Sequence, residues 1–398
     1  MFSKNKILVI LKNKLIAIDS IIPVLLELES NLPQVPKILI IFIDQAHFNG
    51  VMQNYHINKI LSKMNAELLF PRKRNRLYLI LWQAKLLLSL SFSNILILKA
   101  GNCLYLHSKF VRILKFFSRT IEMQFDLPPP NPDFIENMAE DNRLWNTSSN
   151  SSGRETLNFN SDFFLSSLDC NLFSMLYTDI IPKSKFIDIG YVRSFPKWFS
   201  FVKEEASLFK DRINGRYCLY ILSTLDKRIT SLDEPQFADL LIETLEVLKD
   251  FSSSLKIVFK PHFITDMVRF ESILKDLKIE NYSIEYGHPS VLACGSDFII
   301  GNFFSTTMID ARVLGIPVIE YSSYDKRLLH LLKNNSIGGQ SCDYFIYDRD
   351  KSRLHDIINA VLTDKPIKEN ADCCHSSKIS RLLDKLDDFK PIEQRKSK

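Results

Sequence analysis

Short apolar runs without strict alternation recur along this chain, each followed by a stretch of helical spacing. In the N-terminal third the runs are 6–11, 36–44 (PKILIIFID), 67–70 and 94–100 (NILILKA). The segments 16–29, 52–64 and 75–91 between them place apolar residues at helical intervals. After Arg212 the rhythm restarts, with runs at 217–222, 255–259, 283–286, 297–300 and 317–321. Helical segments at 235–251, 266–277, 289–294 and 306–314 separate them. A half-exposed strand alternates polar and apolar residues. A strand that is apolar throughout is buried on both faces, as in a parallel sheet covered by helices on each side. Two such series predict two doubly wound α/β domains, which places binding residues just after strands, at their carboxyl ends.

The length agrees. At 398 residues the chain exceeds what one ordinary core supports. Between the two series, 128–154 is rich in Pro, Asn and Ser, which is loop chemistry. Shorter elements follow at 162–168, 172–176 and 185–189, and the link between domains is placed near 194–212. The expected division is 1–200, 210–345, and a tail of helices and charged residues at 346–398.

Composition excludes several classes. A net charge of +5 is too weak for a dedicated nucleic-acid binder, so no nucleic-acid partner is expected. Seven scattered cysteines suit a reduced, cytoplasmic setting better than a disulfide framework. The pair Cys373-Cys374 with His375 lacks a second pair of ligands at metal spacing. The apolar N-terminal run is short and followed by lysines, as in a first buried strand. The stretch 84–98 is broken by serines and Asn94, so no membrane-spanning segment is expected. With only eleven glycines, the chain has neither GxGxxG nor GxxxxGK[ST].

Three strings follow strands of the second series. Lys260-Pro261-His262 places a cation and an imidazole at a strand end, where they suit a phosphate group or form an ordinary turn. Gly301-Asn302-Phe303-Phe304-Ser305-Thr306-Thr307 opens a helix, with Ser305 or Thr306 as its cap. Such a terminus serves as an anion site or simply as a cap. Gly315-Ile316-Pro317-Val318-Ile319-Glu320-Tyr321 is a helix-to-strand connection. Its Glu320 either accepts hydrogen bonds from a ribose or base, or is a solvated acid. Ser223-Thr224 and Lys227-Arg228 follow the first strand of the second series. Asp44, Gln45 and His47 follow the second strand of the chain, and Gly101-Asn102 a later one. The run Arg72-Lys73-Arg74-Asn75-Arg76 suits anionic headgroups or a solvated face.

The order of Lys260-Pro261-His262, Ser305-Thr306-Thr307, Asp310-Ala311 and Gly315-Ile316-Pro317-Val318-Ile319 resembles the C-terminal domain of surface-polysaccharide glycosyltransferases. These include capsule polysialyltransferase-like enzymes, Kdo transferases and CDP-glycerol glycerophosphotransferases. In those families a His-Pro motif and a Ser/Thr-rich motif hold the nucleotide phosphates. Here Phe263 stands where Pro is usual. Gly190-Tyr191-Val192-Arg193 is similar to a segment near the end of their N-terminal domain. Glu140-Asp141-Asn142 matches a short acidic motif, with Asn in place of Gly, that supplies their general base.

The resemblance implies a GT-B architecture of two Rossmann-like domains facing an interdomain cleft, the first binding acceptor and the second the donor. It implies inverting, metal-independent transfer from a nucleotide-activated sugar, a CMP-sugar among the candidates, to a glycan or lipid-linked acceptor. No cofactor is needed beyond the nucleotide-sugar substrate. Lys260, Pro261, His262, Ser305, Thr306, Thr307, Glu320, Ser223 and Thr224 would serve the donor, and Glu140 or Asp141 would be the base. The lone DxD string, Asp348-Arg349-Asp350, precedes a helix, where capping accounts for it. Peripheral association with the inner face of a membrane belongs to the same reading. The alternatives are a polyol-phosphate transferase or nucleotide-sugar 2-epimerase on the same scaffold, and a non-catalytic glycan-binding protein.

Overall fold

A computed structural model describes residues 5–11, 16–32, 35–42, 44–71, 76–100, 108–127, 159, 161–176, 181–223, 225, 237–262, 265–363 and 378–386. The first series of elements is β1 (Asn5–Ile10), α1 (Ile16–Asn31), β2 (Lys37–Ile41), α2 (Gln45–Met52), α3 (Tyr55–Lys63), β3 (Glu67–Leu69), α4 (Arg76–Leu90), β4 (Asn94–Ala100), α5 (Ser108–Phe117), β5 (Arg119–Asp126), β6 (Phe163–Ser166), α6 (Cys170–Leu176) and β7 (Phe186–Asp188). Its strands form one parallel sheet in the order β3-β2-β1-β4-β5-β6-β7.

A long helix, α7 (Pro196–Ile213), leads into the second series. This comprises β8 (Tyr217–Ile221), α8 (Phe237–Lys249), β9 (Lys256–Lys260), α9 (Met267–Asp276), β10 (Tyr282–Ile284), α10 (Pro289–Cys294), β11 (Phe298–Gly301), α11 (Thr306–Val313), β12 (Val318–Tyr321), α12 (Lys326–Leu331), β13 (Tyr344–Ile346) and α13 (Lys351–Thr363). The sheet order is β10-β9-β8-β11-β12-β13, again all parallel. Both sheets therefore reverse strand order once, between β1 and β4 in the first and between β8 and β11 in the second.

Burial on both faces explains the unbroken apolar runs. On one face of the second sheet, Tyr220, Phe259, Ile300 and Ile319 pack against α8, α9 and α13. On the other, Leu219, Val258, Ile299 and Val318 meet Phe209 of α7, Leu292 of α10 and Met308 of α11. Alternate residues of each strand thus enter opposite cores, and neither face tolerates a polar side chain without a partner.

The chain divides into two compact units, one around each sheet. Residues 346–398, expected as a separate tail, are divided between them. Leu354, Ile358 and Val361 of α13 complete the second core. The last described helix, α14 (Ile379–Lys385), packs on α1 and β7 of the first unit. Lys378 and Arg381 reach the Asp188 carboxylate at 2.6 and 2.9 Å, and Leu382 and Leu386 are buried. Among the described residues no helix is long and apolar enough to cross a membrane.

Candidate functional site

The register of the second sheet assembles the site. Ile221 pairs with Lys260 on one side and Gly301 on the other, and Gly301 pairs with Glu320. One transverse row, Glu320–Gly301–Ile221–Lys260, therefore runs along the carboxyl edge of four strands. The segments leaving this row carry Ser223, Pro261-His262 and 302–307. Strand order reverses at β8 and β11 in its middle, which is where ligands bind in open α/β sheets.

Backbone contacts join the segments. The Leu222 N–H donates to Lys260 O at 3.0 Å, and Thr265 N–H to His262 O at 2.9 Å. The Thr265 hydroxyl donates to Ser223 O at 3.2 Å, tying the loop after β9 to the loop after β8. Lys260 is half-buried, and its Nζ donates to Pro261 O at 3.2 Å. Burial holds the His262 pKa below its ordinary value, and the Lys260 charge lowers it further. The free protein therefore presents a neutral imidazole at neutral pH, beside a cation.

On the other side of the reversal, Ser305 is the N-cap of α11, and its Oγ accepts from Thr307 N–H at 3.3 Å. The turn before it is anchored by Asn302, a buried amide that sequence reasoning left without a role. Its Nδ2 donates to Thr244 Oγ1 at 3.0 Å and Tyr321 O at 2.9 Å, and its Oδ1 accepts from the Tyr220 hydroxyl. Ser322 Oγ donates to Asn302 O at 2.8 Å. These bonds fix the turn to β8, α8 and β12, so Ser305 and Thr306 stand on a rigid base. Space beside Gly301 is tight: a Cβ there would lie 3.0 Å from Met308 Cε and 3.4 Å from Phe303 O. The signal that could have found Asn302 is a polar amide directly following a glycine at the end of a buried strand.

Glu320 corrects the sequence expectation. It is fully buried, with Tyr324 donating to Oε1 at 2.5 Å and Ser336 donating to Oε2. Burial raises its pKa to about 7. A carboxyl enclosed this way pins β12 to the segment around Ser336 and offers nothing to a ribose. The unbroken apolar run around it was the available sign of burial.

Thr224, Lys227, Arg228, Glu140 and Asp141 lie outside the described residues, as do Gly101 and Asn102. In the first unit Asp44 caps α2, accepting from His47 N–H at 2.9 Å. His47 is buried against Phe42, and neither ring nitrogen has a hydrogen-bond partner among the described residues. Burial lowers its pKa, with Asp44 opposing. Asp350 accepts from Arg353 N–H at 3.0 Å at the start of α13, the capping role expected of the DxD string.

No protein-family model matches the chain, and no curated protein matches it. Solved structures do. A UDP-N-acetylglucosamine 2-epimerase superposes with a TM-score of 0.53 over 91% of this chain and 88% of its own, at 11% identity. The wall teichoic acid polymerase TagF gives a TM-score of 0.50 over 96% of this chain and 83% of its own, at 12% identity. The fold is GT-B. At such identities the likeness carries the architecture and not the chemistry. The GT-B frame accounts for two parallel sheets, each with one reversal of strand order. Lys260, His262 and Ser305 lie at the reversal of the second.

Proposed function

We propose that this GT-B protein is a glycosyltransferase that moves a sugar from a nucleotide-activated donor to a hydroxyl of a glycan or lipid-linked acceptor. The observation that carries the reading is the transverse row of the second sheet. It brings a cation, a neutral imidazole and a hydroxyl-capped helix terminus to the reversal point of strand order. Those groups suit the phosphate of a nucleotide. Lys260 supplies charge, His262 a hydrogen bond, and Ser305, Thr306 and Thr307 hydroxyls. Pro261 ends β9 and turns His262 out of the sheet. Ser223 borders the same edge, and Thr224 follows it in sequence.

Transfer then proceeds by attack of the acceptor oxygen on the anomeric carbon as the bond to the donor phosphate breaks, with inversion. The electron pair leaves with the nucleotide, whose charge Lys260, His262 and the α11 terminus stabilise. The acceptor proton passes to Glu140 or Asp141. No metal or further cofactor is assigned a part, and a CMP-sugar is one donor candidate.

A thermal-shift screen of the full chain against CMP, CDP, UDP and GDP tests the donor site, because a ligand selective for the folded state raises the midpoint by mass action. One nucleotide should stand out, and the shift should vanish in His262→Ala. A flat response to all four nucleotides and their sugars counts against the reading.

Nucleotide-sugar 2-epimerisation and polyol-phosphate transfer are the second reading, because two of the solved structures of similar fold are named for an epimerase and a wall teichoic acid polymerase. Product analysis with labelled donors, with and without acceptor, separates them. An epimerase changes the donor sugar without an acceptor, and a polyol-phosphate transferase consumes CDP-glycerol.

A further inference from the structure

Helices α4 and α5 cover one face of the first sheet. Their inner side chains, Leu86, Leu90, Phe110, Val111 and Leu114, pack on β1, β2 and β4. The outer face of α4 is equally apolar. Leu77, Ile80, Leu81 and Leu88 follow helical spacing and are exposed, Leu88 at 78%. On α5, Ile113, Phe116 and Phe117 are exposed, Phe116 at 84%. Phe92, in the turn that ends α4, is 69% exposed, and its N–H donates to Phe117 O at 3.1 Å, joining the two helix ends. These eight residues are most of the thirteen large apolar side chains exposed among the described residues. A helix that is apolar all round is ordinarily buried all round. Here the sheet covers one side only.

Charge identifies what covers the other. From residue 68 to residue 121 the sequence contains ten Lys and Arg and no Asp or Glu. The whole chain is +5, so the remainder is net negative. Lys85 and Arg112 lie on the exposed face. Two of the ten cations are paired with acids: Glu122 is buried and takes Lys99 at 2.7 Å and Lys115 at 3.2 Å, and Asp162 takes Lys115 at 3.2 Å. A second copy of the chain would bring the same positive field against this face across a two-fold axis.

We propose that the α4–α5 face docks on an anionic lipid bilayer. The apolar stripe enters the boundary between headgroups and acyl chains, and the surrounding cations meet the headgroups. Four of the ten cations belong to the Arg72–Arg76 run, which is contiguous in sequence with α4. The inference does not rest on the donor chemistry proposed above.

The test is cosedimentation of the full chain with phosphatidylcholine vesicles, with and without about 30% phosphatidylglycerol, at low and high salt. Binding should require the anionic lipid and weaken with salt. Lys85→Glu with Arg112→Glu should weaken it about 25-fold or more, roughly fivefold for each charge removed. Leu81→Glu with Phe116→Glu should abolish it. Both pairs are exposed, so melting temperature and the nucleotide-induced shift should match the parent, which separates failure here from failure of the donor reading. Equal binding to neutral vesicles, binding to neither vesicle, or variants that bind as the parent does would overturn the proposal. So would a dimer, seen by sedimentation velocity without vesicles, that Leu81→Glu with Phe116→Glu dissolves.

Discussion

His262 is kept neutral by burial and by Lys260. An arriving phosphate would oppose both effects and draw a proton onto the imidazole. Binding of a nucleotide sugar, whose phosphates are diesters and do not titrate near neutrality, should therefore strengthen as pH falls from about 8 to about 6. Calorimetric titration across that range should show the slope in the parent and none in His262→Gln.

Glu320 behaves oppositely. Its folded pKa is raised from 4.5 to about 7, so its stabilising contribution is complete below about pH 4.5 and is lost as pH rises to about 7. The difference in unfolding free energy between the parent and Glu320→Gln should change by about 3 kcal/mol across that window. Chemical denaturation at several pH values measures it. The same residue marks the limit of sequence reasoning at this scale. Position at a strand end was legible for Glu320 and His262 alike. Whether the side chain turns into the core or out of it depends on Tyr324 and Ser336, which local pattern does not reveal.

At the scale of elements, the α11 terminus combines two roles that substitution can separate. Ser305→Ala removes the cap and should cost about 1 kcal/mol of stability. Ser305→Asp keeps a capping oxygen, so stability should stay near that of the parent, while its charge repels a phosphate. Denaturation midpoints together with nucleotide-induced shifts distinguish a cap from an anion site. If Ser305→Asp still binds nucleotide as the parent does, the phosphate is not at this terminus.

Most strands were readable because both of their faces are apolar. β5 was not. Its sequence, RTIEMQFD, mixes polar residues into a buried strand, and Glu122 and Gln124 are only 5% and 1% exposed. Glu122 is tolerated there because Lys99 of the adjacent strand and Lys115 of α5 pair with it. A long-range ion pair stands where hydrophobic pattern would otherwise mark a strand, so neither α5 nor β5 was expected. β13 and α12 are too short to show periodicity.

At the scale of the whole molecule, two doubly wound units were legible from the restart of the strand rhythm after Arg212. The return of the chain was not, because docking by Lys378 and Arg381 depends on Asp188, nearly two hundred residues earlier. Deleting residues 375–398 should destabilise the first unit by about 3–6 kcal/mol, from exposing the sites of two buried leucines. Scanning calorimetry should show one transition moving down and the other holding. Asp188→Ala should lower the same transition by a smaller amount.

That return also sets an order of assembly. Domains made first usually fold first during synthesis. Here the first sheet leaves the ribosome early but gains α14, the last described element to be translated, only at the end. The second unit has all of its described strands before the first has its last described helix. A nascent chain from which residue 374 has just emerged would thus carry a second half with all its described strands behind a first half still missing its clasp.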